Sequence, residues 1–216
     1  MSLISPVPMK DPGDYIDFAE AELLLKDTVD PRDKIILALL WRCGMRAFEL
    51  GHLKWKHFDP QEGIIIVEGK GNKAMRVPME PEVVGWISQY KNIDATPEDY
   101  ILEGHYKHGI SRKTVWRIVK AASLRSGILV TKSNRKLHPH SLRHSLAIWM
   151  VKMGVPLPKI QQILRHSSLV PTTYYLQFSM KELASDYLLA WERAKIGIKS
   201  EEIKNTDEKV PSEELK

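Results

Sequence analysis

The sequence holds a single cysteine, Cys43, so no internal disulfide can form and a reducing, cytoplasmic setting is the default expectation. No apolar run reaches the roughly 18 residues of a membrane span. The N-terminus lacks the basic start and apolar block of a secretion signal. Internal repeats and long low-complexity tracts are missing too. The most informative gap is in charge: residues 104–181 contain no Asp or Glu, yet carry 14 Lys/Arg and six of the eight His. Residues 1–103 sum to −6 and residues 182–216 to −3, so a mild net charge of +5 hides a strongly cationic middle. Such a segment implies a surface that attracts a polyanion. The alternative is a basic face whose counter-charges come from the acidic flanks.

What is present fits one domain by size, or a domain plus a tail, with 216 residues, 43% apolar and 27% charged. The patterning predicts a mainly α protein with a small antiparallel β-hairpin or sheet. A helix starts near Asp30-Pro31, an N-cap followed by proline at the first position, and ends near Gly44. A short helix follows over about 46–53. The β-branched run 63–68, the turn 69–72 and the run 75–78 predict a hairpin. Further helices are expected near 80–91, 112–125, 141–153, 156–164 and 181–194, with Gly127, Gly154 and Pro156 as breaks. Residues 1–13 read as an extension or linker, 14–197 as the folded domain and 198–216 as a charged, disordered tail.

Several side chains are placed for chemistry. Arg46 and Glu49 are three apart, and His140 and Arg143 repeat that spacing, so each pair shares a helix face. Two arginines at helix starts suit a phosphate clamp, because a guanidinium offers a planar fork of donors and stays charged at any working pH. Lys70 sits at the tip of the predicted hairpin. His166 lies nine residues before Tyr175 in Leu164-Arg-His-Ser-Ser-Leu-Val-Pro-Thr-Thr-Tyr-Tyr175. Taken singly, these features have ordinary readings: a structural Arg–Glu pair, a solvated turn lysine, core histidines.

Their order has a family likeness. Gly44-Met45-Arg46-Ala47-Phe48-Glu49-Leu50, Gly69-Lys70-Gly71-Asn72-Lys73, Pro139-His140-Ser141-Leu142-Arg143-His144, the block Leu164–Ser168, and Thr172-Thr173-Tyr174-Tyr175 follow one another at matching spacing. The arrangement resembles the catalytic domain of the tyrosine recombinase or phage integrase family over about residues 14–194. One departure stands out: Arg165 takes the place where the family usually has Gly.

The resemblance implies an α+β tyrosine recombinase catalytic fold and a site-specific recombinase or integrase acting on double-stranded DNA. In that role Tyr175 attacks the scissile phosphorus, giving a 3′-phosphotyrosyl bond and a free 5′-hydroxyl, so that religation needs no ATP. Arg46 and Arg143 hold the non-bridging oxygens. Lys70 protonates the leaving 5′-oxygen, with Lys73 as the alternative. His140 assists proton transfer or braces the phosphate, His166 donates to a phosphate oxygen, and Glu49 orients Arg46 or His140. Tyr174 is the rival nucleophile, expected to pack instead, and His144 is expected to brace its helix. No cofactor is expected. The five cations supply the field that Mg²⁺ gives in two-metal nucleases, and zinc at His138, His140 and His144 is disfavoured because no Cys or carboxylate ligand is near them in sequence.

Away from these motifs, residues 111–120 interleave Arg112, Lys113, Arg117 and Lys120 with Val115, Trp116, Ile118 and Val119, predicting an amphipathic helix with a cationic face for DNA phosphates. Lys132, Arg135 and Lys136 are further candidate backbone contacts. The helix expected over 181–194 carries an apolar stripe that either docks on a neighbouring protomer or packs on its own core. Family members commonly carry a helical core-binding domain ahead of the catalytic one, whereas about a dozen residues precede the first helix here. Two other functions remain open at this stage: a type IB topoisomerase-like nicking and closing activity, and DNA binding without chemistry.

Overall fold

The structure is a computed structural model that describes residues 14–68, 74–104 and 108–165. Lys70, Lys73, His166, Tyr174, Tyr175 and the helix expected over 181–194 lie outside the described residues. Seven helices and three strands are described: α1 (Phe18–Lys26), α2 (Pro31–Trp41), α3 (Ala47–Leu50), β1 (Phe58–Asp59), β2 (Ile64–Glu68), β3 (Ala74–Pro78), α4 (Pro81–Tyr90), α5 (Arg112–Ser126), α6 (Pro139–Lys152) and α7 (Leu157–Leu164). A 3₁₀ turn over Trp55–His57 leads into β1.

Local chemistry accounts for the helix starts. Asp17 and Glu20 cap α1 reciprocally: Asp17 accepts from the Glu20 amide at 2.9 Å and Glu20 accepts from the Asp17 amide at 2.8 Å. Asp30 caps α2 with Pro31 at the first position. Ser111 caps α5, and Gly127 at φ 72° ends it. His138 caps α6, which therefore begins at Pro139, two residues before the expected start. Helix α3 is shorter than its expected span, because Arg46 itself is the extended N-cap residue and only four residues follow in helical conformation.

The central element is α2. Residues Ile35 through Trp41 are all buried, so this helix is apolar all round and needs a cover on every side. Helices α1, α4 and α6 pack around it. Phe18 stacks on Trp149 with centroids 5.6 Å apart and meets Trp41 edge-on at 6.0 Å, closing the α1, α2 and α6 junction.

The expected hairpin is present in register, with Ile64 opposite Pro78 and Glu68 opposite Ala74. It carries a third antiparallel strand, since β1 pairs with β2. Ile65 and Val67 face the core while their neighbours do not, the alternation of a half-buried sheet.

Candidate functional site

The site begins at Gly44. Its φ of +58° ends the α2 region in a left-handed turn, and a Cβ there would lie 2.7 Å from the Leu164 side chain and 2.9 Å from that of Leu146. Only glycine fits both demands. This turn aims the Gly44 carbonyl inward and delivers Arg46 to the start of α3.

Arg46 is fixed by its own helix and by a distant loop. The Glu49 carboxylate accepts from the Arg46 amide at 2.7 Å and from Nη1 at 2.9 Å. Arg46 Nη2 donates to the carbonyl of Arg165 at 3.1 Å. Arg143, on the second turn of α6, is 4% exposed. It donates from Nη1 to the Gly44 carbonyl and from Nη2 to the Leu164 carbonyl. The two arginines therefore seat on adjacent carbonyls, 164 and 165, at the end of α7. They converge from separate motifs of the sequence onto one patch.

His140 lies on the same end of α6, with part of its surface exposed and part covered. Burial lowers its pKa first, followed by the charges of Arg143, His138 and Arg46, which leaves the ring neutral at pH 7 and able to accept a proton. His144 follows one turn later, its ring centroid 6.4 Å from that of His140. Burial, then His140 and Arg143, push its pKa down to about 4. This ring is thus a neutral spacer in the helix face.

His138 supports the same helix. Its Nδ1 accepts from the Ser141 amide at 3.3 Å, so the proton resides on Nε2, 3.1 Å from Asp14 Oδ2. For Asp14, burial alone would raise the pKa, but bonds from Ser133, His138 and Thr131 bring it below the usual carboxylate value.

The cationic helix behaves as its pattern predicts on one side and differs on the other. Arg112, Lys113, Arg117 and Lys120 are exposed while Val115, Ile118 and Val119 are buried. Trp116, grouped in sequence with the apolar residues, is half exposed and stacks on His138, centroids 5.3 Å apart and planes at 25°. Among the described residues, Arg112, Lys113, Arg117, Lys120 and Lys136 have no carboxylate partner. Lys132 is paired with Asp17 at 3.1 Å and Glu20 at 2.8 Å, and Arg135 with Asp14 at 3.4 Å. The acidic flank thus neutralises these two cations, while the α5 face keeps its charge.

Three participants escaped the sequence reading. Asp14 anchors His138 from 124 positions away. Trp116 turns outward. Arg165 enters the interior rather than solvent, and reaches Glu49 at 2.9 Å with 2% exposure on each side chain. The departure from glycine at this position was the one available signal for Arg165. Its backbone retains the left-handed conformation a glycine would take, φ 55° and ψ 44°. Cys43 is buried and burial pushes its thiol up to about 12, so it stays protonated and unreactive.

Among the described residues, no helix is long and apolar enough to cross a membrane. Comparisons with known proteins agree on one group. The model of the phage integrase family matches residues 15–182. The tyrosine recombinase XerC of Escherichia coli O127:H6 (strain E2348/69 / EPEC) is 31% identical over 176 residues, covering 80% of this chain and 57% of the relative. The chain thus spans a little over half the length of that relative. In fold it is similar to the crystal structure of XerA recombinase, with TM-score 0.69 and 28% identity over 84% of this chain and 66% of the other. XerH site-specific recombinase, solved bound to its difH substrate before cleavage, shares the fold at TM-score 0.65 and 20% identity, covering 87% of this chain and 57% of that one.

Proposed function

The chain belongs to the phage integrase family, and from that premise we propose that it is the catalytic domain of a site-specific tyrosine recombinase. It cleaves and rejoins double-stranded DNA through a 3′-phosphotyrosyl intermediate. The observation that carries this reading is the convergence of Arg46 and Arg143 on the paired carbonyls of Leu164 and Arg165, beside a neutral His140.

In this mechanism the scissile phosphate takes the place of those carbonyls or sits against the remaining guanidinium donors. Its non-bridging oxygens then face two fixed cations as charge builds in the pentavalent transition state. Tyr175 is the nucleophile, with its oxygen attacking phosphorus and the 5′-oxygen leaving. The bond broken and the bond formed are both phosphate esters, so the energy is kept for religation. Lys70 gives its proton to the leaving oxygen, His166 donates to a phosphate oxygen, and His140 takes the tyrosyl proton or braces the phosphate. Glu49 acts through Arg46.

The exposed Arg112, Lys113, Arg117 and Lys120 neutralise phosphates flanking the break, with Lys136 beside them. Lys132 and Arg135 contribute only by exchanging their carboxylate partners for phosphate. Residues 14–197 make up the catalytic unit, residues 1–13 an N-terminal extension or linker and residues 198–216 its tail. The helix expected over 181–194 carries protomer contacts on DNA. The setting is cytoplasmic, where the single thiol stays reduced.

A duplex nicked near the cleavage point tests the chemistry, because the short cleaved product diffuses away and traps the adduct. The expected result is a covalent protein–DNA band that forms in EDTA and disappears in Tyr175→Phe. Retention of the band in Tyr175→Phe would move the nucleophile, and a gel shift without any band would leave a DNA-binding module.

A further inference from the structure

Residue 165 stands where two costs meet. Its backbone is in the left-handed region, which glycine adopts freely and a residue with a Cβ does not. Its guanidinium is taken out of water, with 2% of the side chain exposed, and burial lowers its pKa against the opposing charge of Glu49. A glycine would avoid both costs, so backbone geometry does not account for an arginine here.

The contacts indicate what is obtained. Nη2 donates to Glu49 Oε2 at 2.9 Å and to the Gly44 carbonyl at 3.1 Å, while Nη1 donates to the Ile163 carbonyl at 3.0 Å. Nε finds no acceptor among the described residues. The same residue's carbonyl receives Arg46 Nη2. Glu49 in turn holds Arg46 with its other oxygen. Arg46 is therefore gripped twice from one position, directly by a carbonyl and indirectly through the carboxylate.

We propose that Arg165 is a positioning residue: it locks Glu49 and the α7 terminus into one unit that fixes the Arg46 guanidinium for the phosphate and shares the charge of Glu49. Without it Glu49 would face Arg46 as its only guanidinium among the described residues, and that pair would be closer to neutral and freer to turn. The proposal rests on the recombinase reading for its effect on rate, but not for its effect on Arg46.

Two readouts separate these. The first is the guanidinium NMR of the full chain, with the Arg46 signals assigned through Arg46→Lys. A doubly anchored guanidinium rotates slowly about its Cζ–N bonds and gives resolved Nη signals. The expected result is resolved Arg46 signals in the wild type that average in Arg165→Gly, and unchanged signals would overturn the proposal. The second is single-turnover cleavage of the nicked duplex at saturating DNA. Arg165→Gly is expected to slow it about tenfold or more, with DNA affinity held within about twofold. Arg165→Lys should regain part of the rate, because an ammonium still reaches Glu49. Combining Arg165→Gly with Glu49→Gln should be no slower than Glu49→Gln alone. Wild-type cleavage by Arg165→Gly, or losses that multiply in the double variant, would refute it.

Glycine suits the backbone, and Glu49 keeps Arg46 as a partner, so Arg165→Gly should fold. Arg165→Asn, which tolerates the same conformation, repeats the measurement if melting shows otherwise. Absence of adduct in the wild type would refute the phosphotyrosyl mechanism, and the Arg46 spectrum would still decide this proposal.

Discussion

Arg42 and Arg46 are four residues apart and keep opposite company. Arg42 meets Glu22 at 2.5 Å, Glu82 at 2.6 Å and Glu80 at 2.8 Å, and these carboxylates raise its pKa despite burial. Arg46 shares one carboxylate, Glu49, with Arg165, while Arg143 rests on backbone carbonyls. The first cluster carries an excess of negative charge and has no use for an anion. Among the described residues, the second holds three guanidiniums against one carboxylate, in a setting where water screens little. The ratio of acids to arginines separates a structural knot at Arg42 from the phosphate seat proposed for Arg46 and Arg143.

That contrast can be broken by exchanging the two roles. Arg143→Lys removes a fork of donors that one ammonium cannot reproduce, so single-turnover cleavage of nicked duplex should fall by about 10²- to 10³-fold. Arg42→Met should leave the cleavage rate of folded protein unchanged while lowering stability by about 1–3 kcal/mol in urea, since three carboxylates lose their shared cation. Equal losses of rate in both variants would erase the distinction.

The Gly44 turn sharpens it next. Gly44→Ala meets both a positive φ and two leucine side chains, and should cost about 2–3 kcal/mol with reduced cleavage, because the carbonyl shared by Arg143 and Arg165 shifts. Gly127→Ala meets only the positive φ, with open space around it, and should cost about 1 kcal/mol with cleavage intact. Thermal melts and cleavage rates of the pair check this.

A pH dependence follows from the cationic surroundings of α6. The His144 pKa is lowered from 6.5 to about 4 in the folded state. Between those values the unfolded chain binds a proton that the folded chain refuses, so stability should drop as pH falls through that window. The loss is about 2 kcal/mol, reduced from the full shift because the ring is partly exposed. Urea midpoints at pH 7.5 and 4 measure it, and His144→Gln should flatten the difference.

The smallest effect concerns DNA affinity. Arg117→Ala should reduce the slope of log affinity against log salt by about one phosphate contact. Lys132→Ala should change it little, because that ammonium is already held by Asp17 and Glu20. Equal slope changes would show that both cations reach phosphate.

Much of this arrangement was legible before any coordinates. The Asp30-Pro31 start, the interleaved cations of 111–120 and the β-branched run 63–68 are local signals, and they placed α2, α5 and the hairpin correctly. Helix α1 was not delimited, because its nine residues mix both kinds of side chain without a clear stripe. Strand β1 is two residues long, too short for any periodicity to register. Arg46 and Arg143 stood out through their motifs, but their meeting point did not, since the carbonyls of 164 and 165 belong to the end of another helix. Arg165 shows the limit most clearly: read locally it is a loop cation, and only the fold brings it to Glu49 across 116 positions. Charge counting by segment found the cationic middle, and folding then showed which of its members the acidic N-terminal flank neutralises.

The most direct test is a crystal structure of the full chain bound to a nicked duplex. The account predicts that the scissile phosphate sits between Arg46 and Arg143, with an Nη atom of each within about 3 Å of its non-bridging oxygens. A phosphate held by the α5 cations alone, with both guanidiniums still on the Gly44, Leu164 and Arg165 carbonyls and turned from the DNA, would contradict it.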